Sequence, residues 1–458
     1  MKSKKISLFI FRRDLRLNDN TGLLNALKNS DLVIPCFCID PRQVENNDYK
    51  SNNALQFMIE SLEILQQAIK KQKSYLFIFY GMPEEILEHI YKHVKFTAVY
   101  TNIDYTPFSI HRDTNLAAFC LKHNIGFLQF HDYILNTPQT VLKKDGKPYT
   151  VFSAFFKKAQ TNPVANPQKN ILKNYYKQQL PKQFTNLKSL MHKLNPKLHI
   201  HGGTTNCLEL IKLLGNQQNY VKTHDIPSIS TTNLSAHLKF GTVSVRQVFY
   251  EIKKQFGASH PLIRQLYWRD FFTHVAFHFP QVFGHSFNKK YANIKWNTDA
   301  KQFNLWAQGK TGFPIVDAGM RQLNTTGFMH NRVRMIVASF LTKDLGIDWR
   351  KGEKYFAQKL IDYDPSVNNG NWQWVASTGC DAQPYFRIFN PWLQQKKFDP
   401  NAIYIKKWIP ELQNLTAKQI HAAYKLKTIG YPKPIVDHAT QAQKTKTFFK
   451  NMPKNLLP

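Results

Sequence analysis

Acidic side chains are in short supply. The 458-residue chain holds 62 Lys and Arg against 30 Asp and Glu, a formal net charge of +32. That balance leaves the fold open but favours a polyanionic partner, nucleic acid first and an anionic membrane surface second. Part of the excess is a general richness in lysine, visible in KQKSY and KNILKNYYKQQLPKQF, and the sign survives that discount. Long apolar runs are missing too. The run ISLFIF ends before Arg12, too short for a signal-peptide core, and no other approaches a membrane span. Cysteine is sparse: Cys36, Cys38, Cys120, Cys207 and Cys380 include no CxxC pair. This argues against a disulfide scaffold or a zinc site and fits a reducing cytoplasm, where the chain is expected without a metal. Tryptophan is absent from the first 267 residues, and no GxGxxG follows the first apolar run, so no dinucleotide site is assigned there.

What is present suffices for about two domains, with 43% hydrophobic and 14% aromatic residues to fill them. Apolar runs at 6–11, 32–39, 75–80, 97–102 and 126–130 alternate with helical patterns. The clearest of these, over 53–72, places Leu55, Ile59, Leu62 and Leu65 on one face. The fold class is therefore α/β over residues 1–130, a doubly wound parallel, Rossmann-like sheet. Residues 131–200, rich in Pro, Asn and Lys, predict a connector. Residues 201–458 predict an all-helical domain, and all eight tryptophans fall in it.

Several suggestive patterns carry no chemistry. GKT at 309–311 lacks the upstream glycine of a phosphate loop, since residue 304 is Asn304. His274 and His278 have metal-ligand spacing, but Val275 stands where a catalytic glutamate would, so they are read as packing or capping residues. HIHGG at 199–203 reads as a polar turn before a helix. Other stretches resist a packing explanation. Asn331, Arg334 and Met335 share a helical face that would suit Val or Leu, and Asp362 and Asp364 are available as partners. STT followed by NLSAHLKFGTVSVRQVF brings hydroxyls to a helix start, suited to phosphate oxygens. NNGNWQWVASTG sets Trp372 and Trp374 two apart in a polar segment. Together these groups describe a pocket for a large polar-aromatic cofactor.

FRRDLRLNDN, LYWRDFF, WAQGKTGFPIVDAGMRQLNTTGFMHNRVRM, DWRKGEKYF, NNGNWQWVASTGCDAQPYFRIFNP and YPKPIVDH closely resemble the photolyase/cryptochrome family, with the match densest from 264 to 412. Within it the chain is most similar to class I photolyases that repair cyclobutane pyrimidine dimers. The resemblance implies FAD, folded into a U and active when fully reduced, and UV-damaged DNA as substrate. It assigns the FAD phosphates to Tyr220, Thr231, Thr232, Leu234 and Ser235, and the flavin surroundings to Arg269, Arg334, Asp362, Asp364 and Asn368. Trp372, Trp349 and Trp296 match a tryptophan electron relay running from the flavin to the surface. Gln265, Trp268, Asn331, Met335 and Trp374 match lesion-facing positions, and Arg332 and Arg387 match DNA-facing arginines. Trp306, Trp392 and Trp408 are left as structural.

Three departures matter. Gln265 stands where class I enzymes carry a glutamate, so repair is expected to be less efficient than in a Gln265→Glu variant. Asn331 and Met335 replace the histidines of six-four photolyases, which favours the cyclobutane substrate. Phe108 and Ser109 replace the Asn-Glu pair of folate-antenna enzymes, leaving a deazaflavin, another chromophore or none. The alternatives are a cryptochrome-type photoreceptor, disfavoured because the sequence ends soon after YPKPIVDH, and a six-four photolyase, disfavoured by Asn331 and Met335. No metal and no membrane are implied, and a monomer is expected, at the nucleoid when bound to DNA.

Overall fold

The computed structural model describes residues 4–45, 47–191, 193–426 and 430–452. The chain falls into two compact units. The first comprises Met1–Leu194, Ile200–Gln218 and Thr232–Pro280, the second Asn195–His199, Asn219–Thr231 and Gln281–Pro458.

In the first unit the five apolar runs form one parallel sheet. The strands are β1 (Ile6–Phe11), β2 (Leu32–Ile39), β3 (Phe77–Tyr80), β4 (Ala98–Asn102) and β5 (Gly126–Phe130), in the spatial order β3-β2-β1-β4-β5. Central β1 pairs with β2 and β4, Ile10 opposite Cys36 and Leu8 opposite Val99. Leu8, Phe9, Ile10 and Phe11 are all buried, which is why β1 is continuously apolar instead of alternating. The chain winds outward from β1 to β3, then returns past β1 to β4 and β5, the expected doubly wound order. Helix α1 (Asn52–Lys70) starts where the Ser51 side chain accepts from the Ala54 N–H at 3.1 Å, and it buries Leu55, Ile59, Leu62 and Leu65 as their spacing predicts.

The stretch expected as a connector contains a helix, α2 (Phe152–Ala159). Its aromatic side packs on α3 (Pro261–His278): the Phe152 ring stacks on Trp268 with centroids 3.5 Å apart and planes within 7°, and Phe155 meets Phe271 at 5.4 Å. His274 and His278 of α3 lie within hydrogen-bonding distance of the Asn136 and Pro138 carbonyls, and burial pushes both imidazoles down. They are packing residues, as read from the sequence.

The second unit is helical. Helix α4 (Asn331–Ser339) runs into a π-turn (Phe340–Asp344), followed by α5 (Trp349–Lys359) and α6 (Pro365–Ala376); α7 (His438–Lys450) packs on the π-turn. The core beneath them is built on Trp306, Trp349 and Trp372 with Ile336, Val337, Phe340 and Phe356. Trp306 is fully buried, its indole N–H donating to the Val337 carbonyl at 3.0 Å, as a packing residue's would. Trp392 and Trp408 pack half-buried against the same core. All five cysteines are free, and among the described residues no helix is long and apolar enough to cross a membrane.

Candidate cofactor and substrate site

Burying an arginine requires a partner, and the second unit supplies one for Arg334. His330 caps α4 by accepting from the Arg332 N–H, so Arg334 emerges in the first turn. Its guanidinium donates to the Met329 carbonyl at 2.8 Å and to Asp362 Oδ2 at 2.9 Å. The other carboxylate oxygen, Asp362 Oδ1, is buried with no hydrogen-bond partner among the described residues. A buried acceptor left unmatched costs about 1–3 kcal/mol, a cost that a donor from outside the chain would relieve.

Two residues on, Asp364 caps α6 through the Val367 N–H at 3.0 Å, and Pro365 fills the first helical position, where no amide proton is needed. One turn into α6, Asn368 Nδ2 donates to the Glu353 carbonyl of α5 at 3.1 Å, which fixes the amide and frees its oxygen end. The Glu353 carboxylate accepts from Asn369 Nδ2 at 3.0 Å, and burial pushes its pKa up to about 7. Glu353 was not singled out from the sequence; an acid on a helix rich in Lys, Arg and Glu looks solvated.

The three tryptophans expected to form a relay are joined through short stretches of backbone and packing. The residue after Trp296, Asn297, donates from its N–H to the Gly346 carbonyl at 2.8 Å and from Nδ2 to the Leu345 carbonyl at 2.9 Å, just ahead of Trp349. Trp349 opens α5, and one turn later Gly352 accommodates the Trp372 indole. A side chain at Gly352 would bring its Cβ within 2.2 Å of Trp372 Cη2, so glycine is required there by contact with the indole. Trp349 and Trp372 are buried and Trp296 is half-buried, the gradient expected of a path to the surface.

Trp374, two residues beyond Trp372, is half-buried, as are Arg334 and Met335; Asn331 and Arg387 are exposed. Asn331 Nδ2 meets Met335 Sδ at 3.8 Å, so these two expected pocket residues are in contact. Arg332 is held by Asp225 at 2.6 and 3.1 Å and lies 4.4 Å over the Phe398 ring, a commitment invisible in the sequence. Tyr220 is buried and stacks on His224, and burial pushes its hydroxyl up to about 12. Thr231 is half-buried.

In the first unit α3 presents Gln265 to solvent and, one turn on, Trp268. Phe152 covers one face of that indole and so fixes its plane. Arg269 lies 3.6 Å over the Tyr133 ring and donates to the Tyr133 carbonyl at 2.7 Å. Leu234 is buried ahead of the short helix Ser235–Phe240; Thr232 is half-buried and Ser235 exposed. At the positions of the folate pair, Phe108 packs under the Arg42 guanidinium and the Ser109 N–H donates to the Thr106 hydroxyl, a helix start. No group of three or more His, Cys, Asp or Glu among the described residues could hold a metal ion.

Two protein families match the chain: DNA photolyase over residues 7–170, and the FAD binding domain of DNA photolyase over residues 262–451. A curated relative, the deoxyribodipyrimidine photo-lyase of Alkalihalophilus pseudofirmus, is 37% identical over 473 residues, covering 96% of this chain and 97% of that protein. Among solved structures, the archaeal photolyase of Sulfolobus tokodaii, crystallised with two FAD molecules, is 42% identical with a TM-score of 0.90, over 97% of this chain and 100% of that one. A cryptochrome of Synechocystis sp. is 29% identical with a TM-score of 0.88, over 98% and 100% respectively.

Proposed function

The chain belongs to the DNA photolyase family, and on that premise we propose that it is a light-dependent DNA-repair enzyme, a deoxyribodipyrimidine photo-lyase that splits cyclobutane pyrimidine dimers with FAD as cofactor. The observation that carries this reading is the Arg334–Asp362 pair, which keeps one buried acceptor unmatched just ahead of the helix bearing Asn368, Trp372 and Trp374. The ring N–H of a flavin fits that acceptor, and the guanidinium neutralises the carboxylate that offers it. In the second unit Arg334, Asp362, Asp364 and Asn368 are assigned to the ring system and Tyr220 and Thr231 to the phosphates; in the first unit the resemblance assigns Arg269 to the ring system and Thr232, Leu234 and Ser235 to the phosphates. When bound and reduced, FAD supplies the light-driven electron that no side chain can deliver.

The rest is the work of this chain's own residues. In the first unit Trp268 offers the face that Phe152 leaves open, and in the second Trp374 offers an indole; each is assigned to stacking on an extruded dinucleotide. Gln265, Asn331 and Met335 shape the surroundings of the lesion. Gln265 donates and accepts hydrogen bonds but supplies neither a charge nor a proton. Trp296, Trp349 and Trp372 pass electrons inward from the surface. Arg387 meets phosphate directly, whereas Arg332 acts with Asp225 already in place. The +32 charge recruits the duplex without reading its sequence. We place the protein in the cytoplasm, at the nucleoid when bound to DNA, as a monomer. A second chromophore other than folate is compatible with Phe108 and Ser109.

The test is blue-light repair, by the photoreduced protein, of one oligonucleotide with a cyclobutane thymine dimer and another with a six-four product. Repair of the first alone is expected. Repair of the second alone would reassign the substrate. Repair of neither, with FAD bound and photoreduced, would favour a photoreceptor, the reading that the likeness to the Synechocystis cryptochrome supports.

A further inference from the structure

Lys343 is a fully buried cation for which the described residues provide no counter-ion. It sits on the π-turn, where its ammonium donates to the Ala376 carbonyl at 3.1 Å and to Ser377 Oγ at 2.9 Å, with the Phe449 ring 4.2 Å away on a third side. The neighbouring Asp344 is engaged by His438 of α7, and the titratable groups beyond Phe449 are Tyr385, stacked on its ring at 5.6 Å, and Tyr291, edge-on at 5.6 Å. Burial alone pushes the lysine down to about 7. A residue kept only for packing would be Leu or Met here, because an uncompensated buried charge is strongly unfavourable.

The ammonium's two acceptors close α6. Ser377 adopts the left-handed conformation at φ 67°, its N–H reaches the Trp374 carbonyl at 3.3 Å, and the Thr378 N–H reaches the Gln373 carbonyl at 3.0 Å. A cation at this end faces the negative pole of the helix. Through Phe449 the same ammonium touches the stack with Tyr385, two residues before Arg387. We propose that protonated Lys343 is a positioning residue for lesion recognition, locking the final turn of α6 and with it the stance of Trp374 and the segment carrying Arg387. The inference rests on the proposed contact of Trp374 with the lesion.

The sign follows from which form does the locking. Protonated lysine holds the turn, so discrimination of damaged from undamaged DNA should weaken as pH rises through about 7. Above its pKa the charged fraction falls about tenfold per pH unit. The FAD-loaded protein would be titrated in the dark by fluorescence anisotropy. The two probes are an oligonucleotide with a cyclobutane thymine dimer and its undamaged twin, from pH 6 to 8.5, with melting curves in parallel. The expected wild-type loss of discrimination is about five- to tenfold across that range. Lys343→Met should discriminate poorly at every pH yet melt higher at pH 6, an outcome no packing residue gives. Lys343→Arg, which stays charged, should retain discrimination at pH 8.5. A pH-independent wild-type ratio, or a Lys343→Met protein that keeps the wild-type ratio, overturns the proposal. Trp374→Ala separates the two failures: if it leaves discrimination intact, the reading of Trp374 is what fails.

Discussion

Replacing Gly352 with alanine would put a methyl group where the Trp372 indole lies. The added carbon would stand 2.2 and 2.5 Å from Trp372 Cη2 and Cζ3 and 2.6 Å from Leu341 Cδ2, far inside the roughly 3.5 Å of a comfortable carbon contact. Two effects oppose each other. Helix propensity favours alanine inside α5 by about 1 kcal/mol. Overpacking costs about 1–3 kcal/mol, and with two faces of the new methyl obstructed, one of them by a rigid indole, the upper half of that range applies. The net expectation is a loss of about 1–2 kcal/mol, or roughly 2–8 °C in Tm for a unit of this size. Relief comes most directly by moving the indole, and that changes its relation to Trp349, one turn earlier at the start of α5. Calorimetry should therefore be paired with the rate of blue-light photoreduction in the presence of an external thiol, with FAD content checked. Severalfold slower photoreduction with FAD retained is expected. A Gly352→Ala protein that melts above the parent and photoreduces at the parental rate would refute the reasoning, because only the propensity effect would then be acting.

Other substitutions probe other parts of the site. Arg387→Ala should reduce the slope of log affinity against log salt by about 1 for undamaged duplex, whereas Arg332→Ala, whose guanidinium Asp225 already neutralises, should leave the slope unchanged; equal effects would show that the Asp225 pair opens on DNA. Gln265→Glu should raise the quantum yield of dimer repair, and an unchanged or lower yield sinks the view that glutamine limits it. Glu353→Gln should flatten part of the pH dependence of melting between pH 4.5 and 7. The buried acid stays protonated to about 7 in the fold, so its stabilisation is full below 4.5 and lost as pH rises to 7, a swing of roughly 3 kcal/mol. A melting profile identical to the parent's would place that carboxyl in water.

The sheet was legible because its inner strands, buried on both faces, declare themselves as largely apolar runs; the edge strand β5 is mostly exposed, yet all five strands begin and end within two residues of the runs. Helix α2 was not, since its stability comes from stacking on Trp268, a partner more than a hundred residues away that the prolines and lysines around it conceal. The same distance in sequence hid the partner of Arg332. Arg334 and Asp362 were readable from either direction: the family motif names them, and an arginine on an otherwise apolar helical face demands an acid. Lys343 was not singled out: near the end of MIVASFLTKD it reads as an ordinary closing lysine, and only the structure shows that the π-turn carrying it is buried along its whole length.

The burial of Lys343 belongs to a wider pattern. Lys343, Asp344 and Glu353, the lysine and acids that burial shifts most between α4 and α6, are displaced toward neutrality from opposite sides, to about 7, about 6 and about 7. The penalty for the two acids grows as pH climbs toward 7, and the penalty for the lysine is relieved only as pH climbs past it. Their sum is therefore greatest near neutral pH, where most proteins are near their most stable. A fold selected only for persistence would have no use for such groups between the tryptophans proposed as a relay and the helix proposed to face the lesion. Their concentration where Trp349, Trp372 and Trp374 are set in place indicates that this segment is held by polar contacts able to change with protonation, at some expense in stability, whereas the central strands of the first unit's sheet rest on a buried apolar core of Leu8, Ile10, Ile34, Phe77 and Val99.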